Sequence, residues 1–554
     1  MVFATHLRRD ALLAIGLALV LGAAWTWSDW AALSRLHLPD TDDVVRLQQI
    51  RDWLAGQAFA DVTQYRLAGG SPMHWSRLPD LVPAALILML TPLTGTYAAE
   101  VAAVVAWPLL LFATALLLVA RIARALGTHA PTALAVAAIA YPATTVFLPG
   151  RIDHHGLQMV LLLGGVLALL LPASAGTGFA IGVVAAASLV VGLETAPMLA
   201  AIGVVATAGW IAARPGATAR LQGLGVGALV ALAAGKGVFA TSAWDYPACD
   251  GFTRAAWQAA VAVAPIPLVL ALLDGRLTGW RARTTVALGV AAVAAGVALW
   301  LSPACLRPYG GVDATMARLW LAQVGEAQSM FAAPPATAIG YAGVMLAGMA
   351  CAGWRVCATR TWPWAALLVL QIATLAVTLT TLRGAYAGAL LAAPALAAAI
   401  TAARAGGTLR LVGAWAASAG MLYPLAADAL THAPDPPSHG PGDCTSPAML
   451  AALDALPAGI VMAPIDAGAY ILAGTRQAVI AAPYHRNGAG NRAAYAFYLG
   501  EPGMAEAIAR QWKVTHALAC AAMPGPARAT PLPGWVAVRT LPDGGIIYAR
   551  RLSR

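Results

Sequence analysis

Three short stretches gather acidic and imidazole side chains in a chain otherwise dominated by Ala, Leu, Val and Gly. The first, "LPDTDDVVRLQQIRDWLAG", brings Asp40, Asp42 and Asp43 ahead of Arg46 and Arg51. The second, "RIDHHGLQ", sets Arg151 beside Asp153, His154 and His155, and the third, "LAQVGEAQSM", carries Glu326. Carboxylates and imidazoles drawn from separate loops are what a divalent cation site requires, and an oxygen-rich set suits Mg²⁺ or Mn²⁺. The expected ligands are Asp40, Asp42, Asp153, His154, His155 and Glu326. Each cluster also has a structural reading. "PDTDD" is a sequence that caps a helix and complements its dipole, Asp153 suits the cap of a helix beginning at His154, and Arg151 suits a surface anchor.

The elements that must position these residues lie in a membrane. The chain is 60% hydrophobic and 10% charged, which excludes an ordinary water-soluble globule. Apolar windows of about 17 to 23 residues recur from Ala11 to about Ala427, each long enough to cross as a helix. The expected spans are 11–29, 99–120, 129–148, 157–173, 177–193, 196–213, 221–240, 255–273, 286–303, 338–352, 363–380, 385–402 and 409–427, about thirteen in all. The stretch 81–95, "LVPAALILMLTPLTG", is short and carries two prolines, and reads as an interfacial helix. The fold class expected is a polytopic α-helical membrane domain, 1–427, followed by a soluble α/β domain, 428–554, where alternating runs and turns return.

Orientation follows from charge. The net charge is +10, yet the basic residues are nearly all Arg in short loops at regular intervals, a pattern that sets membrane orientation and argues against nucleic acid as a partner. With "HLRRD" as a cytoplasmic flank and the first apolar run retained as a helix, "RIARALG", "RPGATAR", "DGRLTGWRAR", "WRVCATR" and "ARAGGTLR" all fall inside. A long first loop (about 30–98), "RIDHHGLQ", Glu194, "WDYPACDGFTR", the loop at about 302–337, Arg383 and the terminal domain fall outside. The three acidic clusters therefore share one side. Cys249 and Cys305 in outer loops, and Cys444 and Cys520 in the terminal domain, form two possible disulfide pairs in an oxidising space, the alternative being that all are small buried apolar residues. Cys351 and Cys357 flank a cytoplasmic loop. Lys236 lies inside the seventh span, where it either snorkels or works.

As a layout, the chain resembles the GT-C class of membrane glycosyltransferases, and in particular the catalytic subunit of oligosaccharyltransferase. The resemblance rests on the spans, the acidic first loop, Asp153-His154-His155, the Val-x-Glu of "VGEAQ" and the terminal domain. It implies that Asp40, followed six residues later by Arg46, binds the metal and acts at the acceptor, with Asp42 and Asp43 as further acidic candidates for ligation and catalysis. It likewise implies that Asp153-His154-His155 stands for the family's second acidic motif, histidine replacing a carboxylate. Glu326 is similar to the glutamate that touches metal and acceptor, and Arg383 in "TLRGAY" to the arginine that holds the donor's pyrophosphate, a role that suits a planar, permanently charged fork. Arg151 is a second candidate for donor phosphate. "PIDAGAYIL" is similar to the acceptor-recognition stretch, keeping Asp466 and Gly468 but neither tryptophan of the family's Trp-Trp-Asp. Tyr484, His485 and Arg486 in "PYHRN", and His74 in "SPMHWSR", are further acceptor or sugar candidates.

What the resemblance implies is a glycosyltransferase of the bacterial inner membrane, a monomer with its site and terminal domain periplasmic. It would move a sugar or oligosaccharide from a polyprenyl phosphate or pyrophosphate to a protein or glycan acceptor, with Mn²⁺ or Mg²⁺. Two other classes compete: a lipid or solute transporter or flippase, which predicts inverted repeats and broken helices at mid-membrane, and a metal-independent polysaccharide ligase or polymerase, which relies on outer-loop Arg and His.

Overall fold

A computed structural model describes residues 2–307, 312–431, 443–520 and 534–551. Among them, eight helices are long and apolar enough to cross a membrane: Leu7–Ser28, Thr96–Ala125, Ala217–Phe239, Arg254–Arg276, Gly279–Leu301, Pro335–Thr359, Trp362–Thr380 and Gly384–Gly406. The other five of the thirteen expected spans are shorter or broken. Three are the apolar helices His155–Leu170, Ala175–Val191 and Ala196–Ile211. Expected span 129–148 is a helix over Ala130–Ala138, then the cis Tyr141–Pro142 bond and a 3₁₀ turn over Ala143–Phe147. Expected span 409–427 splits into Thr408–Ser418 and Leu422–Thr431. At that break Gly420 lies against the Tyr141 backbone, where a Cβ would sit 2.6 Å from Tyr141 N. Helix length and composition therefore support a polytopic helical domain without fixing thirteen crossings.

Small residues let helix backbones touch. Helices Ala175–Val191 and Ala217–Phe239 meet through Gly178, Gly182, Gly223 and Gly227. A Cβ on these would lie 1.9 Å from Arg220 O, 2.3 Å from Leu224 O, 2.0 Å from Ala175 O and 2.4 Å from Phe179 O respectively. Such contact supplies dispersion and Cα–H···O interactions where lipid offers no hydrophobic drive. The helix Gly384–Ala403, rich in Ala, is buried along most of its length and starts at Arg383.

The first loop is a structured layer. Helix Thr41–Leu54 starts at Asp40, whose side chain accepts from the Asp42 N–H at 3.0 Å. A small antiparallel pair follows, β1 (Thr63–Gln64) with β2 (Ser71–Pro72). The 14-residue helix Leu81–Thr94 is about 21 Å long, short of a ~30 Å crossing. Arg51 holds the layer to the long helix behind it by a two-pronged bond to Glu100, at 2.9 and 2.7 Å.

The terminal domain is built on a five-stranded sheet in the order β4-β3-β5-β7-β6: β3 (Ile460–Met462), β4 (Ala478–Val479), β5 (His516–Ala519), β6 (Trp535–Thr540) and β7 (Ile546–Arg550). β3 runs parallel to β4 and β5, whereas β7 is antiparallel to β5 and β6. The first loop continues this sheet: Val479 N–H donates to Arg66 O, and Ala68 N–H to Val479 O, both at 2.8 Å. Both expected disulfides are present, Cys249–Cys305 and Cys444–Cys520, and Cys351 and Cys357 are free.

Gly223→Leu should push the two glycine-faced helices apart. Overpacking of this kind costs about 1 to 3 kcal/mol or more, so a lowered Tm and aggregation in detergent are expected, whereas Gly289→Leu, where a Cβ meets nothing within 4 Å, should leave the melt unchanged.

Candidate functional site

The Arg151 guanidinium organises the first half of the site. It donates to Asp40 Oδ2 at 2.8 Å and to Asp153 Oδ2, and its Nε stands 3.4 Å from Asp43 Oδ2. Asp43 is buried and its other oxygen accepts the Asp153 N–H at 2.7 Å, while Asp153 Oδ1 accepts the His155 N–H at 3.0 Å. The capping readings of Asp40 and Asp153 are thus met by one oxygen of each, which leaves the second oxygen of each for Arg151.

Glu326 organises the second half. It lies in a short turn, Gly325–Ala327, before the helix that opens at Pro335. Arg383 donates to its Oε1 from Nε at 3.1 Å and from Nη2 at 2.6 Å, Tyr386 donates its hydroxyl to Oε2 at 3.3 Å, and His155 Nε2 stands 3.8 Å from Oε1. Burial pushes the Glu326 carboxyl up, but His155 and Arg383 hold it well below the usual range.

Asp42 links the halves. Among the described residues its carboxylate takes no hydrogen bond, and burial together with the charges of Asp40, Asp153 and Glu326 pushes it up to about 7, with His155 opposing. Arg151 joins Asp40 to Asp153, and His155 meets Asp153 through its backbone N–H and Glu326 through its ring, so the three clusters form one charged network. Asp466 lies in the first turn of the terminal-domain helix Ile465–Gly474, where it is exposed.

The remaining expected residues are placed differently, each according to the partner that the fold supplies. Arg46 is fully buried, paired with Asp80 Oδ1 and stacked 4.8 Å from the Trp75 ring, so it does not reach the acidic cluster. His485 and Arg486, expected at an acceptor entrance, are taken by Asp250. Arg486 bonds it at 2.8 and 2.7 Å, lies 4.3 Å from the Tyr246 ring and donates to Met73 O, while His485 pairs with Asp250 Oδ2 and lies 4.8 Å from His74. Tyr484 is buried with its hydroxyl on Thr41 O at 3.0 Å. These residues join the terminal domain to the outer loops.

His154 parts company with His155. Its Nε2 meets Glu194 Oε1 at 3.0 Å, and Gln158 Nε2 donates to Glu194 Oε2 at 2.7 Å. Burial raises the Glu194 carboxyl, but His154, His155 and Arg383 bring it well below the ordinary range. Glu194, Gln158 and Tyr386 are not among the residues expected from the sequence. The one signal there is an acidic residue at a tight outer turn.

The chemistry of the donor set fits a hard divalent cation: Asp40, Asp42, Asp153 and Glu326 offer oxygens and His155 an imidazole. The preformed cage expected from the sequence is nevertheless not formed. Among the described residues no three His, Cys, Asp or Glu side chains are arranged to hold an ion, because Arg151 and Arg383 take the carboxylates.

No family model matches the chain, and no curated protein matches it. Solved structures do. An archaeal oligosaccharyltransferase, AglB from Archaeoglobus fulgidus, in complex with an inhibitory peptide and a dolichol-phosphate, is 15% identical with a TM-score of 0.66, over 91% of this chain and 69% of that one. The Archaeoglobus fulgidus oligosaccharyltransferase in complex with Zn and sulfate is 16% identical with a TM-score of 0.62, over 92% and 67%. The same enzyme tethered to an acceptor peptide containing the NVT sequon through a disulfide is 14% identical with a TM-score of 0.64, over 92% and 69%. The chain has the oligosaccharyltransferase fold that its layout resembles.

Because folding raises the Asp42 carboxyl to about 7 from an unfolded value near 4, the folded state binds the extra proton between those values, and the site loses stability as pH rises through them. In metal-free detergent buffer, Asp42→Asn should melt with the wild type near pH 4 and at progressively higher temperature than the wild type as pH rises, with the full gain reached above pH 7.

Proposed function

We propose that this protein is a membrane glycosyltransferase that passes a sugar or oligosaccharide from a polyprenyl phosphate or pyrophosphate to an acceptor at the membrane face bearing the acidic recess. One observation carries the reading: carboxylates from three distant segments, Asp40, Asp153 and Glu326, are joined through Arg151 and His155 in a chain with an oligosaccharyltransferase fold. The similar structures hold a dolichol-phosphate and an acceptor peptide, which supports a lipid-linked donor and a protein acceptor here. The charge bias of the loops supports a bacterial inner membrane with the recess periplasmic, and two disulfides in the outward parts agree. The protein acts as a monomer in this reading.

Asp40 orients the acceptor nucleophile and takes its proton, with Asp43 holding the Asp153 backbone in place behind it. Arg383 turns its fork from Glu326 to the donor's phosphate oxygens, with Arg151 as the second cation within the recess. Glu326, so released, meets the acceptor. The acceptor nucleophile, giving its proton to Asp40, bonds to the sugar's anomeric carbon in line as the bond from that carbon to the phosphate oxygen breaks, and the lipid phosphate leaves with the electron pair. Asp40, Asp42, Asp153, His155 and Glu326 would hold Mg²⁺ or Mn²⁺, which when bound offsets the negative charge gathering on the departing phosphate. Asp466 is kept from the resembled family's acceptor-recognition stretch but neither tryptophan is, so the sequence supports a protein or glycan acceptor without naming an asparagine sequon.

The position of Arg151 among Asp40, Asp43 and Asp153 favours a second reading, a metal-independent transferase in which guanidinium groups do the work of the cation.

With purified lipid-linked donor, Asp40→Ala, Asp153→Ala and Glu326→Ala should each lower transfer by about 10²-fold or more while eluting as folded protein in detergent. Full activity in a well-folded Asp153→Ala sinks the acidic site. Chelation separates the readings: activity lost with EDTA and restored by Mn²⁺ or Mg²⁺ supports the cation, and activity indifferent to EDTA supports guanidinium catalysis.

A further inference from the structure

Glu194 sits in the turn between helices Ala175–Val191 and Ala196–Ile211, and the catalytic roles assigned to the recess leave it without a task. The turn is built around its carboxylate. Each oxygen takes one partner, His154 Nε2 on Oε1 and the Gln158 amide on Oε2. His154 and Gln158 are one helical turn apart and so present the same face. Gly192 makes room for the arrangement, since a Cβ there would lie 2.4 Å from Glu194 Oε2 and 2.9 Å from Gln158 Nε2. A buried Ser188–Thr195 hydroxyl pair at 2.7 Å closes the base of the turn.

A carboxylate only accepts, so the imidazole proton facing it is on Nε2, and the other nitrogen of a neutral ring carries the lone pair. In His154 that other nitrogen, Nδ1, is buried and has no hydrogen-bond partner among the described residues. The same holds for Arg46 Nε and Nη2, His74 Nδ1 and Trp75 Nε1, which form a separate group around the Trp75 ring. The ring of the neighbouring His155 turns instead toward Glu326, while its backbone N–H donates to Asp153. Orphaned buried polar atoms are costly unless a ligand meets them. A sugar hydroxyl, which both gives and accepts, would meet the lone pair at His154 Nδ1.

We propose that Glu194 is a positioning residue that fixes the His154 ring through Nε2, so that Nδ1 accepts a hydroxyl of the sugar carried by the lipid-linked donor. This rests on the glycosyltransferase reading, and it places His154 with the donor sugar rather than with a cation.

The test is a double-mutant cycle of Glu194→Gln and His154→Gln, with rates measured against donor and acceptor concentration. It is paired with NMR of the metal-free protein in detergent, labelled with ¹⁵N-histidine, the His154 signals identified by their loss in His154→Gln. Glu194→Gln should lower kcat/KM for the donor about 10-fold, leave the acceptor KM unchanged and add nothing in the His154→Gln background. Wild-type His154 should show the Nε2–H tautomer, and Glu194→Gln should lose that preference. Additive losses, an effect confined to the acceptor or to Mn²⁺ affinity, or a wild-type His154 protonated at Nδ1 would overturn the proposal. If Glu194→Gln does not fold, Glu194→Asp, which keeps the charge but shortens the reach, is read by the same spectra. Absence of any wild-type transfer would count against the glycosyltransferase reading, while the spectra still decide whether Glu194 fixes His154.

Discussion

Three carboxylates around one guanidinium hold the outer face of this protein in register. Asp40, Asp43 and Asp153 come from two loops more than a hundred residues apart, and without Arg151 they would repel one another in a poorly hydrated recess. The guanidinium is planar and offers five donors, so a single side chain reaches all three. The Asp153 N–H to Asp43 bond fixes the same junction through the backbone. Since Asp40 also caps its own helix, and Asp153 accepts the first N–H of the helix that begins at His155, the ionic contact ties the starts of both helices together. Arg151 balances only part of the charge, and the remainder is felt by Asp42, which is why that carboxyl is raised.

The terminal domain closes the other side of the recess. The first loop adds a strand-like segment to its sheet edge at Val479, Tyr470 and Tyr484 donate to Leu38 O and Thr41 O, and Asp250 gathers His485 and Arg486. These contacts hold the terminal domain against the segment that carries Asp40. On the far side, Arg492 pairs with Asp313 and Tyr495 donates to Leu319 O, so the segment leading to Glu326 is braced by the terminal domain before Arg383 takes the glutamate. Four parts of the chain therefore meet around the acidic cluster, each fixed by polar contacts.

Residue type makes the acidic cluster legible. Carboxylates and imidazoles are rare in so apolar a chain, and charge bias alone puts their loops on one side, so Asp40, Asp42, Asp153 and Glu326 group together without knowledge of any contact. The same reasoning misreads "PYHRN". A histidine and an arginine in a loop look free for substrate, and only the fold brings Asp250, 235 residues earlier, against His485. Arg46 is misplaced for the same reason, its partner Asp80 lying on another turn of the first loop. Glu194 is visible as a lone acid, but its bond to His154 depends on a Gly192 that reads as an ordinary loop glycine.

By itself the sequence determined that the chain carries many long apolar helices, that its last stretch returns to mixed composition, and which acidic residues stand out. Composition and periodicity suffice for these because they follow from the transfer of apolar surface out of water, which is set residue by residue. The tertiary structure alone decided which cations meet which carboxylates, that Arg151 rather than a preformed ion cage sits between them, and where expected spans break into shorter helices. Those outcomes depend on directional contacts between groups far apart in the chain, and spacing along a sequence says nothing about distance in space.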